Sequence, residues 1–566
     1  MSLFTEVHFS VPKSHGFRRT RENHLSCQMA ELVPFITEEV YPADIFKINT
    51  EASIKLAPLR APSMTRMDAY MHFFFIPDRL LYTNWENFIT GGTKGNVVSV
   101  KSFTDPSNPS PLEAVAPNFD FAKLFTKGAL LSGSLQDYLG LPTPNSSRGF
   151  TPPQNGGTAP SDIPPINALP WLAYWKVYSD WYRDELLDPY EFEPFGDGEI
   201  AITSGTPGEA LLQKAYRCWK KDYFTSARND TQLGPAQSVP VSGDISQNGY
   251  FRLGSNYQSP FGNPLKIGSN PEDLGTDSDP RYAANVQTTV SNQNYSLSYV
   301  DGLSLENAGI LINDLRRTLK LQEWGEKNMR GGNRYIENIF HHFGVKSSDA
   351  RLQRSQYLGG KKIPVVIGEV LQSVGQTGSS ASIDNENAVG VRGGVGAAGG
   401  SSQFIRFRSE EHGFILGILS IMPHTSYFQG IPRYLADRWD RFSYAWPEFS
   451  NLGEQEVYNW ELFVTNGANN SGVFGYQSRY ADLKTGTSEI HGEFRDSLAF
   501  WHQARIFSSR PNLNNGFVNF GNSTNANGMN RIFAVEANNL ASHFYCHFFN
   551  HVKLVRRLSK YGTPSI

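Results

Sequence analysis

The stretch "RMDAYMHFFFIP", Arg66 to Pro77, alternates in a way only a strand can use. Met67, Ala69, Met71, Phe73 and Phe75 fall on one face of a strand, and Arg66, Asp68, Tyr70 and His72 on the other. Just upstream, Ile48, Thr50, Ala52, Ile54 and Leu56 alternate with Asn49, Glu51, Ser53 and Lys55, and Pro58, Pro62 and Pro77 punctuate the pattern. The C-terminal third returns to strands, including "HGFILGILSIMP" and "SHFYCHFFNHVKLV". Between them lie polar tracts at 93–165 (Pro, Ser, Gly and Asn), 226–300 (Asn, Gln, Ser and Gly with scattered aromatics) and 373–403 (glycine-rich). Strands at both ends with helices and long loops between read as one mainly β sandwich interrupted by insertions. Disorder usually lacks aromatics, so 226–300 reads as an ordered, loop-built surface insertion.

Two segments have helical period. In "LPWLAYWKVYSDWYRDE", Leu169 to Glu185, the rings of Trp171, Tyr174, Trp175, Tyr178, Trp181 and Tyr182 share one side of a helix. Pro170 suits its first turn, and Arg183, Asp184 and Glu185 close it. Such a rod could be a membrane belt, a stacking platform for bases or sugars, or packing against protein. The spacing also predicts a helix over 303–330, with Ala308, Leu311, Ile312, Leu315 and Leu319 as its apolar face and Glu323/Lys327 and Glu326/Arg330 as ion pairs.

Composition narrows the classes. With 19% charged residues, 13% aromatics, 51 glycines and 33 prolines in 566 residues, the chain is turn-rich with bulky cores. Cys27, Cys218 and Cys546 make neither a disulfide framework nor a zinc pattern, so a reducing compartment is expected. The first residues have no secretory apolar region, and no run of about 18 apolar residues exists. Membrane insertion is therefore not expected, and the aromatic rod is not a membrane belt. A net charge of −3 argues against a surface that grips nucleic acid everywhere. Local basic stretches do occur at "KSHGFRRTR" and "HVKLVRRLSK".

The catalytic and cofactor motifs fail on context. "GVGAAG" (Gly394, Gly396, Gly399) has the letters of a dinucleotide fingerprint but sits in a tract so rich in glycine that chance supplies the match. His341 and His342 are adjacent and diverge on either a strand or a helix. On a strand His543 and His547 share a face that Cys546 does not, so no metal set is expected there. Glu410 and Glu411 are too ordinary an acidic pair to nominate a glycosidase dyad. No catalytic, cofactor or metal residue is nominated. The C-terminal strand is more telling. Phe544, Cys546, Phe548, Val552 and Leu554 form one face, with Asn550 as the exception. The other reads His543, Tyr545, His547, Phe549, His551 and Lys553, followed by Arg556, Arg557 and Lys560. Rings interleaved with cations suit single-stranded nucleic acid. The plain alternative is a strand packed on a core on one side and on a loop on the other.

Taken in order, "HLSCQMAELVPF", "MHFFFIPDRLLYTNWENFITGG", "INALPWLAYWKVYSDWYRDE", "RGGNRYIENIFHHFGVKSSDARLQRSQYLGG", "EEHGFILGILSI", "FGYQSRYADLKTG" and "GEFRDSLAFWHQARIF" resemble the major capsid protein of the Microviridae, especially its gokushovirus-like branch. These are small icosahedral bacteriophages with circular single-stranded DNA. The polar tracts match least, as surface loops would. The resemblance implies a structural, non-enzymatic virion protein, assembled in the bacterial host cytoplasm. It implies an eight-stranded antiparallel jelly roll with long loop and helix insertions, of which about sixty copies close a T=1 icosahedral shell. It places an N-terminal arm at 1–30 and one jelly-roll capsid domain at 31–566, with 226–300 the candidate three-fold protrusion for host attachment. Implied partners are further copies of itself, the single-stranded DNA genome, a small basic DNA-binding peptide, internal scaffold and pilot proteins, and a host-cell surface receptor. The residues expected to face DNA are Arg18, Arg19, Arg21, His547, Phe549, His551, Lys553, Arg556, Arg557 and Lys560. The six rings of Trp171 to Tyr182 are expected to be packing. The rival reading is a carbohydrate-binding or glycan-degrading protein, since Trp, Tyr, Asn and Gly also build sugar sites.

Overall fold

A computed structural model of the chain describes residues 13–90, 115–234, 312–331, 334–371, 392–467, 469–521, 526–535 and 542–561, with short strands at 242–245, 266–267, 272–273 and 305–309. The chain divides into two compact units, one made of 1–231 and 329–566 and the other of 232–328. In the first unit the strands are β1 (His15–Arg18), β2 (Arg21–Cys27), β3 (Val33–Val40), β4 (Ile45–Leu56), β5 (Met67–Pro77), β6 (Gln356–Leu371), β7 (Arg392–Ser401), β8 (Ile405–Arg408), β9 (Gly413–Pro423) and β10 (Phe544–Arg556).

These form one antiparallel ten-stranded sheet. Its path runs β1-β10-β4-β7-β6-β5-β9-β3, with β2 also on β10 and β8 also on β4. The sheet curls until its far ends meet. Phe35 of β3 stacks on Phe548 of β10 with centroids 4.6 Å apart, and its ring meets Phe73 edge-on at 5.4 Å. The mainly β architecture is as expected, and the eight strands of the path follow an order consistent with a jelly roll.

The core follows the alternation. Ile48, Thr50, Ala52, Ile54 and Leu56 are buried while Asn49, Glu51, Ser53 and Lys55 point away, and the β5 set Met67 to Phe75 joins the same cluster. Asn550 lies buried among the apolar side chains of β10 because Thr50 donates its hydroxyl to Asn550 Oδ1 at 2.7 Å.

The opposite side of β5 and β9 is also closed. Helix α1 (Leu169–Val177) and a π-helical turn over Tyr178–Tyr182 lie in a second cluster with Phe74, Ile76, Leu416 and Ile418. The rod is buried nearly all round, not on one stripe, because it is walled by further chain, with Trp181 left half-buried. Burying each ring is worth about 4–6 kcal/mol of gross transfer energy. Most polar tips find partners as well, the buried Trp171 indole being the exception. The Tyr174 hydroxyl donates to Leu32 O (2.8 Å), the Trp175 indole to Leu211 O (3.0 Å), and the Trp181 indole to Ser355 O (3.1 Å).

Three expectations change. The helix expected over 303–330 begins later, as α2 (Ile312–Gly331), and 305–309 is a strand. Its Glu323/Lys327 pair forms at 3.1 Å, but Arg330 binds Glu454 in place of Glu326. Within the glycine-rich tract, 392–401 is a strand paired on both edges. Glycine is what permits this: a Cβ on Gly396 would sit 2.7 Å from Leu56 Cδ2, and one on Gly394 would sit 2.7 Å from the Ala61 carbonyl oxygen. This also removes the strand–turn–helix context that a dinucleotide fingerprint needs. The tract 226–300 lies almost wholly outside the described residues, as do 91–114 and 372–391.

Candidate nucleic-acid interface

Period 2 fixes what β10 offers. With Phe544, Cys546, Phe548, Asn550, Val552 and Leu554 in the core, Tyr545, His547, Phe549, His551 and Lys553 must point the other way. Tyr545 is 49% exposed. Pairing with β2 and β4 extends this face: His547 lies opposite His24 on one side and Ser53 on the other, and Phe549 lies between Glu22 and Glu51. His547 meets Glu22 at 3.4 Å, His551 meets Glu51 at 3.2 Å, and the His24 and His547 rings are 4.4 Å apart. The Phe549 ring stands edge-on to His551 at 4.3 Å. The face is polar, open and rich in rings.

The residues expected here separate into two groups. Arg18, His547, Phe549, His551 and Lys553 share the open face, and Arg557 and Lys560 are exposed just beyond the strand. Arg19, Arg21 and Arg556 do not join them. Arg19 and Arg21 hold the buried Glu38 at 3.2 and 3.0 Å, and Arg556 holds the buried Asp44 at 2.6 Å. Arg556 has core-side parity in β10, so its guanidinium points away from Lys553. Burial pushes the Glu38 carboxyl up, against the pull of Arg21 and Arg19. These three arginines are committed to carboxylates inside the fold. Sequence reasoning also missed two cations that the face contains, Lys47 on β4 and Arg406 on β8. Both were legible as the polar partners of alternating strands.

Other sequence candidates resolve simply. His543 is fully buried with its ring 4.3 Å from Phe533, Cys546 faces the core, and His547 faces out, so they hold no common ion. Cys546 lies beside Cys27, whose thiol is pushed up first by a hydrogen bond with Cys546 and then by burial. Glu22, His24 and His547 bring donor atoms within 4.8 Å of one another. Neither imidazole has the hydrogen-bonded support behind it, among the described residues, that metal-holding histidines ordinarily have.

The aromatic rod also borders a cavity of about 490 Å³ lined by Tyr70, His72, Trp181, Tyr182, Arg217 and Tyr357, among others. A sugar platform needs free ring faces. Here the Arg217 guanidinium lies 4.1 Å over Tyr70 and 5.8 Å from Tyr182, and Arg354 lies 4.6 Å over Trp181. Burial, with Arg217 beside it, lowers His72 to about 4, so it stays neutral, with its Nδ1 2.8 Å from the Tyr182 hydroxyl. These rings are occupied by the protein's own groups. Among the described residues, no helix is long and apolar enough to cross a membrane.

Comparison with known proteins identifies the family. The family model described as capsid protein (F protein) matches residues 10–143 and 157–566. Capsid protein VP1 of Bdellovibrio phage phiMH2K is 31% identical over 90% of this chain and 89% of its own length. Capsid protein VP1 of Chlamydia phage 1 is 29% identical over 98% and 95% of the two chains, and that of Spiroplasma virus 4 is 25% identical over 100% and 97%. Such relatives are structural components of the virion and not enzymes. Matched by the family model along nearly its whole length, the chain belongs to the F-protein family of Microviridae capsid proteins.

Proposed function

We propose that the chain is the major capsid protein of a T=1 shell, in which about sixty identical copies enclose a circular single-stranded DNA genome. The observation that carries the reading is the asymmetry of the main sheet: one part is covered on both sides, and another leaves a ring- and cation-bearing face uncovered. That face is turned toward DNA. The net charge of −3 supports a division of labour in which a small basic peptide supplies much of the phosphate neutralisation. Internal scaffold and pilot proteins complete the particle, and the insertion at 226–300 rises at the three-fold axes to meet the host receptor.

Negative-stain microscopy and sedimentation of purified particles test the shell directly. The expected result is closed spheres with the mass of about sixty subunits. Protein that stays monomeric under every assembly condition, or that binds glycans tightly as a monomer, would favour the carbohydrate-binding alternative.

A further inference from the structure

The registers of four strands place four cations in one line. Arg18 of β1 lies opposite Lys553 of β10, Lys553 opposite Lys47 of β4, and Lys47 opposite Arg406 of β8. All four are exposed. Directly opposed residues point to the same side, so the row crosses the sheet at right angles to its strands and spans roughly 14 Å at ~4.8 Å per strand. Among the described residues none of the four is paired with a carboxylate. The nearest acid on this face of β4, Glu51, is engaged by His551.

Like charges placed opposite one another weaken a sheet, and here three such contacts follow in succession. The arrangement makes sense when an anion from outside the fold lies along it. A line of cations fits a line of anions better than a single bound ion. Rings follow along β10, with the half-buried Phe549 four residues and the exposed Tyr545 eight residues from Lys553 on the same face. Rings beside a charge row favour a nucleic acid strand over an acidic peptide, because bases stack and carboxylate side chains do not.

Resting on the reading that the shell encloses single-stranded DNA, we propose that Arg18, Lys553, Lys47 and Arg406 form a phosphate track. It holds one short stretch of DNA backbone across the strands, with bases laid toward Phe549.

The test uses full-length protein carrying Lys47→Glu with Arg406→Glu. A second pair, Lys47→Gln with Arg406→Gln, removes charge without reversing it. Lys361→Glu with Arg351→Glu makes the same charge change at exposed positions away from this face. Shell formation is read by microscopy and DNA per shell by ultraviolet absorbance. Binding of labelled oligothymidine is followed across a salt series. Track variants are expected to form shells of normal size with several-fold less DNA, and the control pair normal DNA. For the Gln pair, the slope of log affinity against log salt should fall by about 1.4. Normal DNA content with an unchanged slope would overturn the track, as would an equal loss in the control pair. Equal binding of polyglutamate and oligothymidine would overturn its assignment to nucleic acid. Failure of the unsubstituted protein to form shells would instead overturn the capsid reading on which the track rests.

Discussion

Strands β9 and β10 belong to the same sheet and have similar lengths, yet they sit in opposite circumstances. Every residue of β9 is buried, because one face meets the sheet's curled interior and the other meets the aromatic rod. β10 is buried at every second residue only. Their sequences say so: "GFILGILSIMP" is apolar throughout, and "FYCHFFNHVKLVR" alternates. The covered half of the sheet is spent on stability, and the open half is free to meet a partner.

The sharpest way to break this contrast is to strip the cover. Trp171→Ala should cost about 3–5 kcal/mol, enough to unfold much of the subunit pool, while Tyr545→Ala on the open face should stay within about 0.5 kcal/mol. Urea unfolding of both variants gives the comparison, and a small loss at Trp171 would show that the rod is ornamental.

A second substitution tests the two sides of one strand. Arg556→Met leaves the Asp44 carboxylate buried without its ion pair and should cost about 3 kcal/mol. Lys553→Met, three residues earlier on the open face, should change stability by no more than about 0.5 kcal/mol. If thermal unfolding shows equal losses, Arg556 is no more structural than Lys553.

The third test is a pH dependence in the covered half. Burial, with Glu39 and Glu411 nearby, pushes the Asp78 carboxyl from 3.8 up to about 7. From about pH 4 to 7 the folded subunit keeps a proton that the unfolded chain has released, so this group lowers stability as pH rises through that window. The loss is complete somewhat above 7, and a shift of this size sets its upper bound at about 4 kcal/mol. Asp78→Asn should therefore gain on the unsubstituted protein between pH 4 and pH 8. Identical pH profiles in urea unfolding would mean that Asp78 ionises normally.

Much of this was legible in the sequence because alternation is a local signal. The buried and exposed positions of β4 and β10, down to the exception at Asn550, follow directly from period 2. What could not be read is register. The opposition of Lys47 to Lys553 depends on which strands become neighbours, and those residues lie far apart in the chain. The same limit hid the role of Arg556, whose partner Asp44 arrives from the turn between β3 and β4. The strand at 392–401 was obscured for a different reason: its glycines are there for close approach, and composition alone makes such a tract look like a loop.

The slot that β10 fills lies between β1 and β2 on one side and β4 on the other, so the first strands of the sheet are completed by the last. Thr50 waits for Asn550, 500 residues later. At about 5–20 residues per second, a ribosome takes roughly half a minute or more to deliver that strand. Until then the sheet has an unfilled gap. A nascent subunit is thus barred from joining a particle before β10 has been made, by connectivity alone.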